Sequence, residues 1–157
     1  METKLTIELI PSTTWFDNVR SKITQTEWDK IKKLVSKRAN HVCEICGGKG
    51  WQHPTENHEI WEYIETEDQN IQKLKGLIAL CPACHEVKHM GLAQKRGRLK
   101  QAIKHLSKIN SWSEEDSIAY AEAMFEIWAS RSNKKWEVDI SELENIIEKL
   151  KKDINIL

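Results

Sequence analysis

The hydrophobic and polar positions at the start of the chain predict one short strand. From Leu5 to Ile10, apolar side chains mostly alternate with polar ones, and the stretch ends at Pro11. Alternation with a period of two residues is typical of a β-strand, and a proline interrupts a strand because it has no N–H group to donate. We therefore expect a strand over residues 5–10.

A helical pattern follows this strand. Thr24 with Glu27, and Thr26 with Asp29, have the spacing of a capping box, in which side chains satisfy the free N–H groups at the start of a helix. Apolar residues then recur with the 3.6-residue period of an amphipathic helix, at Trp28, Ile31, Leu34 and Val35. The pattern predicts a helix that ends near Ala39.

The C-terminal part of the chain predicts further helices. Apolar side chains at helical spacing are found at Leu99, Ile103 and Leu106, at Ile118, Ala121, Met124, Phe125 and Trp128, and at Leu143, Ile146, Ile147 and Leu150. Ser113 with Asp116 caps the second of these helices, and Ser141 with Glu144 caps the third. A short strand is expected between them, over residues 136–140. The last helix can pack on its own domain or on a second copy, so a homo-oligomer is possible.

The cysteines provide the most specific motif. Cys43 and Cys46 form one Cys-x-x-Cys pair, Cys81 and Cys84 form another, and 34 residues separate the pairs. Two thiolates at this spacing can bind one tetrahedral ion at about 2.3 Å, so the matched pairs predict a structural Zn²⁺ site with four cysteine ligands. Residues 41–46 are expected to form the first strand of a zinc ribbon, and residues 47–50 its turn.

Three histidines form a second group of candidate ligands. With Pro82 at the start of a helix, His85 and His89 project from one face, one turn apart. They indicate a separate ion or a contact with nucleic acid; the alternative is that His85 packs against the cysteines and His89 lies on the surface. His58 falls in a stretch, residues 51–64, that is expected to return as a strand toward this helix.

These motifs resemble the zinc-ribbon branch of the HNH endonucleases, which have a ββα-metal fold. The matching stretches are CEIC at residues 43–46, NH at residues 57–58, and LIALCPACHEVKH at residues 77–89. Together they cover less than a third of the chain. The order and spacing of the motifs, rather than any one of them, give the resemblance its specificity.

The resemblance implies a role for each matching residue. In the family, the second residue of the strand dipeptide is the general base, which is His58 here. The residue before it binds the catalytic ion, so Asn57 is the implied ligand, together with the helix histidines His85 and His89. The chain departs from the family at Gly76, where the family has an asparagine that braces the loop carrying the base.

Such a site has the chemistry for phosphodiester hydrolysis. A divalent ion can polarise the phosphate and stabilise the leaving oxygen, and a neutral imidazole with an ordinary pKa near 6.5 can accept a proton from water. Histidine and amide ligands suit Mg²⁺, Mn²⁺, Ni²⁺ or Zn²⁺. Glu59 could also bind the ion or act as the base, but strand alternation directs it to the face opposite His58.

Charges are segregated beyond the first cysteine pair. Residues 56–68 carry six carboxylates and no lysine or arginine, and they are expected to form a solvated acidic loop. Residues 87–113 carry seven cations and no acidic residue. Because this basic stretch begins on the helix of His85 and His89, we predict that it binds nucleic acid phosphates; the alternative is a solvated lysine face. The cations predicted to bind nucleic acid are Lys88, Lys95, Arg96, Arg98 and Lys100.

Composition narrows the class of protein. The formal net charge of the 157 residues is zero, so overall basicity does not indicate nucleic acid as a partner. The chain begins without the pattern of a secretory signal and has no stretch of about 18 consecutive apolar residues. We expect a cytoplasmic protein with no membrane partner, whose cysteines bind metal rather than form disulfides.

The sequence as a whole predicts a single α+β domain over residues 1–157, mainly helical by residue count. A zinc-stabilised ββα-metal core of the HNH type would span about residues 40–92, with helical extensions over residues 1–39 and 93–157. The predicted function is a metal-dependent HNH-type endonuclease that hydrolyses DNA. The alternative is a catalytically degenerate zinc module of the same fold that binds nucleic acid or another protein.

Overall fold

The chain has an α+β fold in the computed structural model, which describes residues 2–156. Helices account for 51% of the chain, so helix outweighs strand as predicted. The helices are α1 (Val19–Lys22), α2 (Gln25–Arg38), α3 (Pro82–Lys88), α4 (Met90–Lys95), α5 (Leu99–Asn110), α6 (Glu114–Ser132) and α7 (Leu143–Ile156). The strands are β1 (Glu56–Glu65), β2 (Asn70–Leu80) and β3 (Glu137–Asp139). Within residues 2–156, no helix is both long enough and apolar enough to cross a membrane.

The three strands form one sheet in the order β1-β2-β3. Strands β1 and β2 are an antiparallel hairpin, and β3 runs parallel to β2. The register of the hairpin shifts between Ile60 and Trp61, where a bulge interrupts the ladder. Because β1 is the first strand in this order, it lies at an edge of the sheet, and one side of its backbone pairs with no strand among the described residues.

Four of the six carboxylates of the acidic stretch are exposed, as predicted, but most of the stretch belongs to strand β1, which overlaps the strand predicted over residues 51–64, so the prediction of a loop is wrong there. Only residues 66–69 form the turn of the hairpin, where the Thr66 N–H donates to the Gln69 carbonyl at 2.9 Å. The carboxylates of this stretch are interleaved with partly buried apolar residues, including Trp61, which packs on the core. These apolar side chains, rather than the net charge, favour the strand.

Two other predicted strands are replaced by irregular structure. Residues 5–10 are extended but pair with no strand among the described residues; one of their N–H groups, that of Glu8, donates to the Lys88 carbonyl at 3.1 Å. Residues 41–46 form turns. Here Asn40 and His41 have positive φ values of 53° and 59°, and the Cys43 N–H donates to the Gly48 carbonyl at 2.8 Å. The chain forms turns around the cysteines instead of the predicted strand.

The start signals of three helices are confirmed, but Thr26 lies inside α2 and α7 begins at Leu143, so the predicted caps of Thr26 with Asp29 and of Ser141 with Glu144 are wrong. Thr24 and Glu27 form the reciprocal capping box of α2, which ends one residue before Ala39. Pro82 occupies the first turn of α3, where a missing N–H costs no hydrogen bond. Ser113 accepts a hydrogen bond from the backbone of the first turn of α6. These elements follow from local chemistry, which explains why the sequence predicts them well.

Two hydrophobic clusters sandwich the sheet. Alternate residues of β2 enter different clusters, Leu80 one of them and Leu77 the other. The first cluster gathers residues 5–7, the cysteines and helices α3 to α6, and the second gathers α2 and α7. Helix α7 thus buries its apolar face, including Leu150, against α2 and β2 of its own chain.

Asn110 anchors the N-terminal segment to α5. Its buried side chain accepts hydrogen bonds from the N–H groups of Lys4 and Leu5, both at 2.9 Å, and donates to the Leu5 carbonyl at 2.8 Å. An alanine at this position would leave the buried polar groups of Leu5 without partners.

We therefore expect Asn110→Ala to lower the free energy of unfolding by roughly 2 to 4 kcal/mol. Urea denaturation followed by circular dichroism measures this change. The matched control is Asn145→Ala, which removes an exposed amide bonded to Glu142 and should change the stability by less than about 0.5 kcal/mol. Equal effects of the two substitutions would contradict the anchoring role.

Candidate metal centres

The four cysteines converge where the loop of residues 41–50 meets the start of α3. Their sulfurs lie within 4.8 Å of one another, and the Sγ atoms of Cys46 and Cys81 are 3.6 Å apart. A tetrahedral zinc ion with Zn–S bonds of about 2.3 Å separates its sulfurs by about 3.8 Å. All four cysteines are free thiols. The cluster can therefore bind zinc with the ligands that the sequence predicts.

Hydrogen bonds to the sulfurs favour the thiolate form. The Cys46 N–H points at Cys43 Sγ and the Cys84 N–H at Cys81 Sγ, both at 3.5 Å, so the two pairs have the same geometry. A hydrogen bond from the side chain of Cys84 lowers the pKa of the Cys43 thiol to about 4, and the same interaction raises the pKa of Cys84. Burial raises the pKa of the Cys81 thiol to about 11, so Cys43 is the cysteine of the cluster that is favoured as a thiolate at neutral pH.

His105 is a further residue of this site that the sequence analysis missed. It lies on α5, and its Nε2 is 3.2 Å from Cys84 Sγ. An imidazole N–H that donates to a ligand sulfur orients that ligand and tunes its charge. His105 lies 21 residues beyond Cys84, which matches no ligand spacing, so only the packing of α5 on α3 reveals it.

Three imidazoles form a separate cluster next to the sulfurs. His58 comes from β1, and His85 and His89 come from α3 and its C-terminal cap. The ring centroids are 5.3 Å apart for His58 and His85, 5.1 Å for His58 and His89, and 4.8 Å for His85 and His89. One ring nitrogen from each lies within 4.8 Å of the others, so the three could hold a metal ion. We call this cluster the histidine triangle.

Two carboxylates orient the rings of the triangle. Glu8 lies 3.4 Å from His58 Nε2, and Glu56 lies 3.4 Å from His85 Nδ1. A carboxylate can only accept, so these two ring nitrogens carry the protons, which leaves a lone pair on the other nitrogen of each neutral ring. His58 Nδ1 is buried and has no hydrogen-bond partner among the described residues. Histidines that bind metals commonly donate their second N–H to a carboxylate in this way.

The pKa values suit metal binding by neutral imidazoles. Burial lowers the pKa of His58, and burial together with electrostatic interactions with the two neighbouring imidazoles lowers that of His89 to about 3. Burial raises the pKa of Glu8, but the hydrogen bond from His58 and the charge of Lys88 outweigh it and bring the pKa to about 2. Glu8 is therefore ionised and His89 neutral at pH 7, which keeps a lone pair available to a cation.

Neither residue next to His58 forms a hydrogen bond with a histidine of the triangle among the described residues. Both polar atoms of the Asn57 side chain are buried without a partner among residues 2–156. Glu59 accepts a hydrogen bond from the backbone of Val19, and burial raises its pKa to about 7. Gly76, at the position where the HNH resemblance implies a bracing asparagine, pairs with Ile60 in the hairpin. The carboxylate of Glu8, from a distant segment, contacts His58 instead.

The structure removes Lys88 from the predicted basic surface. Its side chain is 7% exposed, and its ammonium contacts Glu8 and, at 2.7 Å, the Thr6 hydroxyl. A buried ammonium with a carboxylate partner is not available to a phosphate. This burial could not be predicted from the local sequence, because Glu8, the acid that neutralises Lys88, is far away in the chain.

The other four predicted cations are exposed, in different environments. Lys95 lies over the ring of Trp15 at 4.2 Å, and Arg98 forms a salt bridge with Glu86 at 2.7 Å. Arg96 and Lys100 have no carboxylate within salt-bridge distance in the part of the chain that the structure describes. Their role in nucleic acid binding stays a prediction.

The pair of Glu8 and Lys88 allows a stability test. We expect Glu8→Gln to destabilise the protein by about 3 kcal/mol, because it leaves the buried Lys88 ammonium without a counterion. Urea denaturation measures the loss. Adding Lys88→Met removes the unpaired charge and should recover most of the stability, whereas additive losses in the double variant would show that the two side chains are independent.

Comparisons of the chain with protein-family models, with curated proteins and with solved structures found no match. The function is therefore inferred from the geometry and chemistry of the two clusters. The protein has an α+β fold and a four-cysteine site that can bind zinc. Its small sheet, flanked by helices, is compatible with a zinc-binding ββα fold.

Proposed function

We propose that the protein is a metal-dependent endonuclease of the HNH type that hydrolyses phosphodiester bonds in DNA. The observation that carries this proposal is the histidine triangle, a three-imidazole site separate from the four sulfurs. Two sites of different chemistry suit two different tasks. Four thiolates fill every position of a tetrahedral ion and serve structure, whereas three imidazoles leave positions open for water and substrate.

In this proposal His58, His85 and His89 are the ligands of the hydrolytic ion. This differs from the role that the family resemblance implies for His58, which is general base. The buried lone pair of His58 Nδ1 and the carboxylate at Nε2 favour the ligand role. Glu8 and Glu56 orient two of the three rings and add negative charge near the cation. A divalent ion bound there would act as a Lewis acid toward a phosphoryl oxygen and lower the pKa of a coordinated water.

The zinc site positions the triangle. Cys84 and His85 are consecutive residues of α3, so zinc bound by the four cysteines would hold the start of this helix and with it the direction of its histidines. Nickel, manganese, magnesium and zinc remain candidates for the hydrolytic ion, because imidazole and water ligands accept all of them to different degrees.

The test is cleavage of supercoiled plasmid by zinc-loaded protein with added Mg²⁺, Mn²⁺ or Ni²⁺. We expect cleavage that requires the added ion and is lost in His58→Ala. The matched control is His41→Asn, which changes an exposed histidine outside the triangle to a residue that tolerates its positive φ of 59°. Cleavage that persists in His58→Ala would contradict the proposal.

Metal affinity separates the two roles of His58. If His58 binds the ion, His58→Ala weakens the binding of Ni²⁺ in a calorimetric titration. If it is only the base, the affinity stays that of the wild type while cleavage is lost. Salt-sensitive DNA binding without cleavage by the wild type, with any of the ions, would favour the non-catalytic zinc module.

A further inference from the structure

A polar cleft opens beside the histidine triangle at the start of β1. It has a volume of about 300 Å³ and lies between α2 and the junction of β1 with α3. Its charged lining residues are the two cations Arg20 and Lys32 and one carboxylate, Glu56, and its other polar lining residues include Asn57 and His85. His85 connects the cleft to the triangle, because its side chain is 21% exposed while His58 is 3% exposed.

The other two cavities that reach the triangle are less suited to a phosphate. The cavity beside His89, of about 330 Å³, is lined largely by apolar side chains such as Trp15 and Phe125. The cavity beside His58, of about 190 Å³, contains two carboxylates, Glu8 and Glu59, and one cation, Arg131. Carboxylates repel phosphate, and an apolar wall offers it no hydrogen bond. In the cleft beside His85, two cations outnumber the one carboxylate, Glu56, which lies 3.4 Å from His85, and hydroxyl and amide groups add hydrogen-bonding partners.

Asn57 indicates that this cleft takes a polar ligand. The amide nitrogen and the carbonyl oxygen of its side chain are both buried, and neither has a hydrogen-bond partner among the described residues. A buried amide without partners costs free energy, so its presence in the wall of a cleft calls for a molecule that it can bind. The amide N–H group is a suitable donor to a phosphate oxygen.

The two cations of the cleft are available. Arg20 is exposed and has no carboxylate within salt-bridge distance in residues 2–156. Lys32 pairs with Asp29 at 3.0 Å, but both side chains are more than 40% exposed. Such an exposed pair is weak, so exchanging the carboxylate for a phosphate costs little. Beyond the cleft, α2 continues with exposed Lys33 and Lys37, which extend the positive surface away from the triangle.

We infer that the DNA strand reaches the histidine triangle through this cleft, with Arg20 and Lys32 bound to its phosphates and the Asn57 amide donating to a phosphate oxygen. The inference rests on the proposed function and names the surface on which that function operates. It moves the main phosphate contacts from the predicted basic stretch, on α4 and α5, to α1 and α2. Asn57 thereby becomes a substrate-binding residue instead of a metal ligand.

The test compares DNA affinity between matched variants on the two surfaces. Binding of a fluorescein-labelled DNA duplex is followed by anisotropy at several salt concentrations, in the His89→Ala background so that the duplex stays intact. Arg20→Ala is matched by Arg96→Ala, and Lys32→Ala by Lys100→Ala, since all four side chains are exposed. Zinc content and circular dichroism show that each variant is folded.

We expect Arg20→Ala and Lys32→Ala each to weaken binding about tenfold and to reduce the salt slope by about 1. The α4 and α5 controls should change affinity less than about twofold. The opposite order, or equal small effects on both surfaces, would overturn the inference. Asn57→Asp adds a further test. A carboxylate here weakens DNA binding if Asn57 contacts phosphate, but strengthens Ni²⁺ binding if Asn57 is a metal ligand.

These outcomes are distinct from failure of the proposed function. A wild type that binds DNA through the cleft but cuts it with none of the ions would contradict the nuclease proposal alone. A variant with both Arg20→Ala and Lys32→Ala that cuts plasmid as efficiently as the wild type would contradict the inference alone.

Discussion

Replacing Cys84 with serine is expected to release zinc and to unfold the protein at room temperature. A structural zinc site contributes about 10 to 16 kcal/mol of binding free energy at neutral pH, and a typical domain has a net stability of only about 5 to 15 kcal/mol. Cys84 is fully buried, and its sulfur contacts both Cys43 and His105. A hydroxyl in its place is a poor zinc ligand and leaves three sulfurs without a common ion.

Zinc content by atomic emission and the thermal transition by circular dichroism measure this effect. Because Cys84 and His85 are consecutive, loss of zinc should also abolish any metal-dependent cleavage. The matched control is Ala83→Ser, a change of similar size at an exposed position of the same helix, which should keep both the zinc and the transition. A Cys84→Ser protein that binds one zinc ion and unfolds like the wild type would refute the structural role of the cluster.

The second large effect is expected from His89→Ala. If the triangle holds the hydrolytic ion, removing one of three ligands should lower the rate of plasmid cleavage by about 10³-fold or more. The physical reason is that a Lewis-acid ion supplies several kcal/mol of transition-state stabilisation, and each 1.4 kcal/mol is a factor of ten in rate. The zinc content and the fold should stay intact, since His89 contacts no cysteine of the cluster in the described residues.

Cleavage rates over a range of Mn²⁺ concentrations measure this prediction. A ligand variant with residual activity should need more Mn²⁺ to reach half its maximal rate, because its site binds the ion less tightly. His41→Asn again serves as the control outside the triangle. A His89→Ala protein with the rate and the metal dependence of the wild type would exclude the triangle as the catalytic centre.

Local chemistry explains what the sequence predicts correctly. The capping box of Thr24 and Glu27, the start of α3 at Pro82 and the cap at Ser113 each depend on residues within one helical turn. The two cysteine pairs are also local features, because the spacing within each pair already sets two thiolates at the separation that zinc needs. Such features can be read from the chain before its tertiary structure is known.

Long-range contacts explain what the sequence leaves open. Glu8 reaches Lys88 and His58 from the N-terminal segment, so the burial of one and the orientation of the other depend on a residue far away in the chain. His105 approaches Cys84 through the packing of two helices. The predicted strand over residues 5–10 fails for a related reason. Alternation shows that a segment buries one side, but not whether a neighbouring strand is available to pair with it.

The assignment of His58 shows how a motif can locate a site and leave its chemistry undecided. The strand dipeptide correctly placed a histidine opposite His85 and His89, which the triangle of ring centroids bears out. Whether that histidine is base or ligand depends on which ring nitrogen is free. That depends in turn on Glu8, whose position could not be read from the motif.

Anomalous diffraction from crystals of the zinc-loaded protein soaked in Mn²⁺ tests the two-site account most directly. Data collected on both sides of the zinc edge distinguish zinc from manganese. The account predicts a zinc peak surrounded by the sulfurs of Cys43, Cys46, Cys81 and Cys84, and a separate manganese peak within the triangle of His58, His85 and His89. A single peak shared by sulfurs and imidazoles, or no ion between the three rings at saturating Mn²⁺, would contradict it.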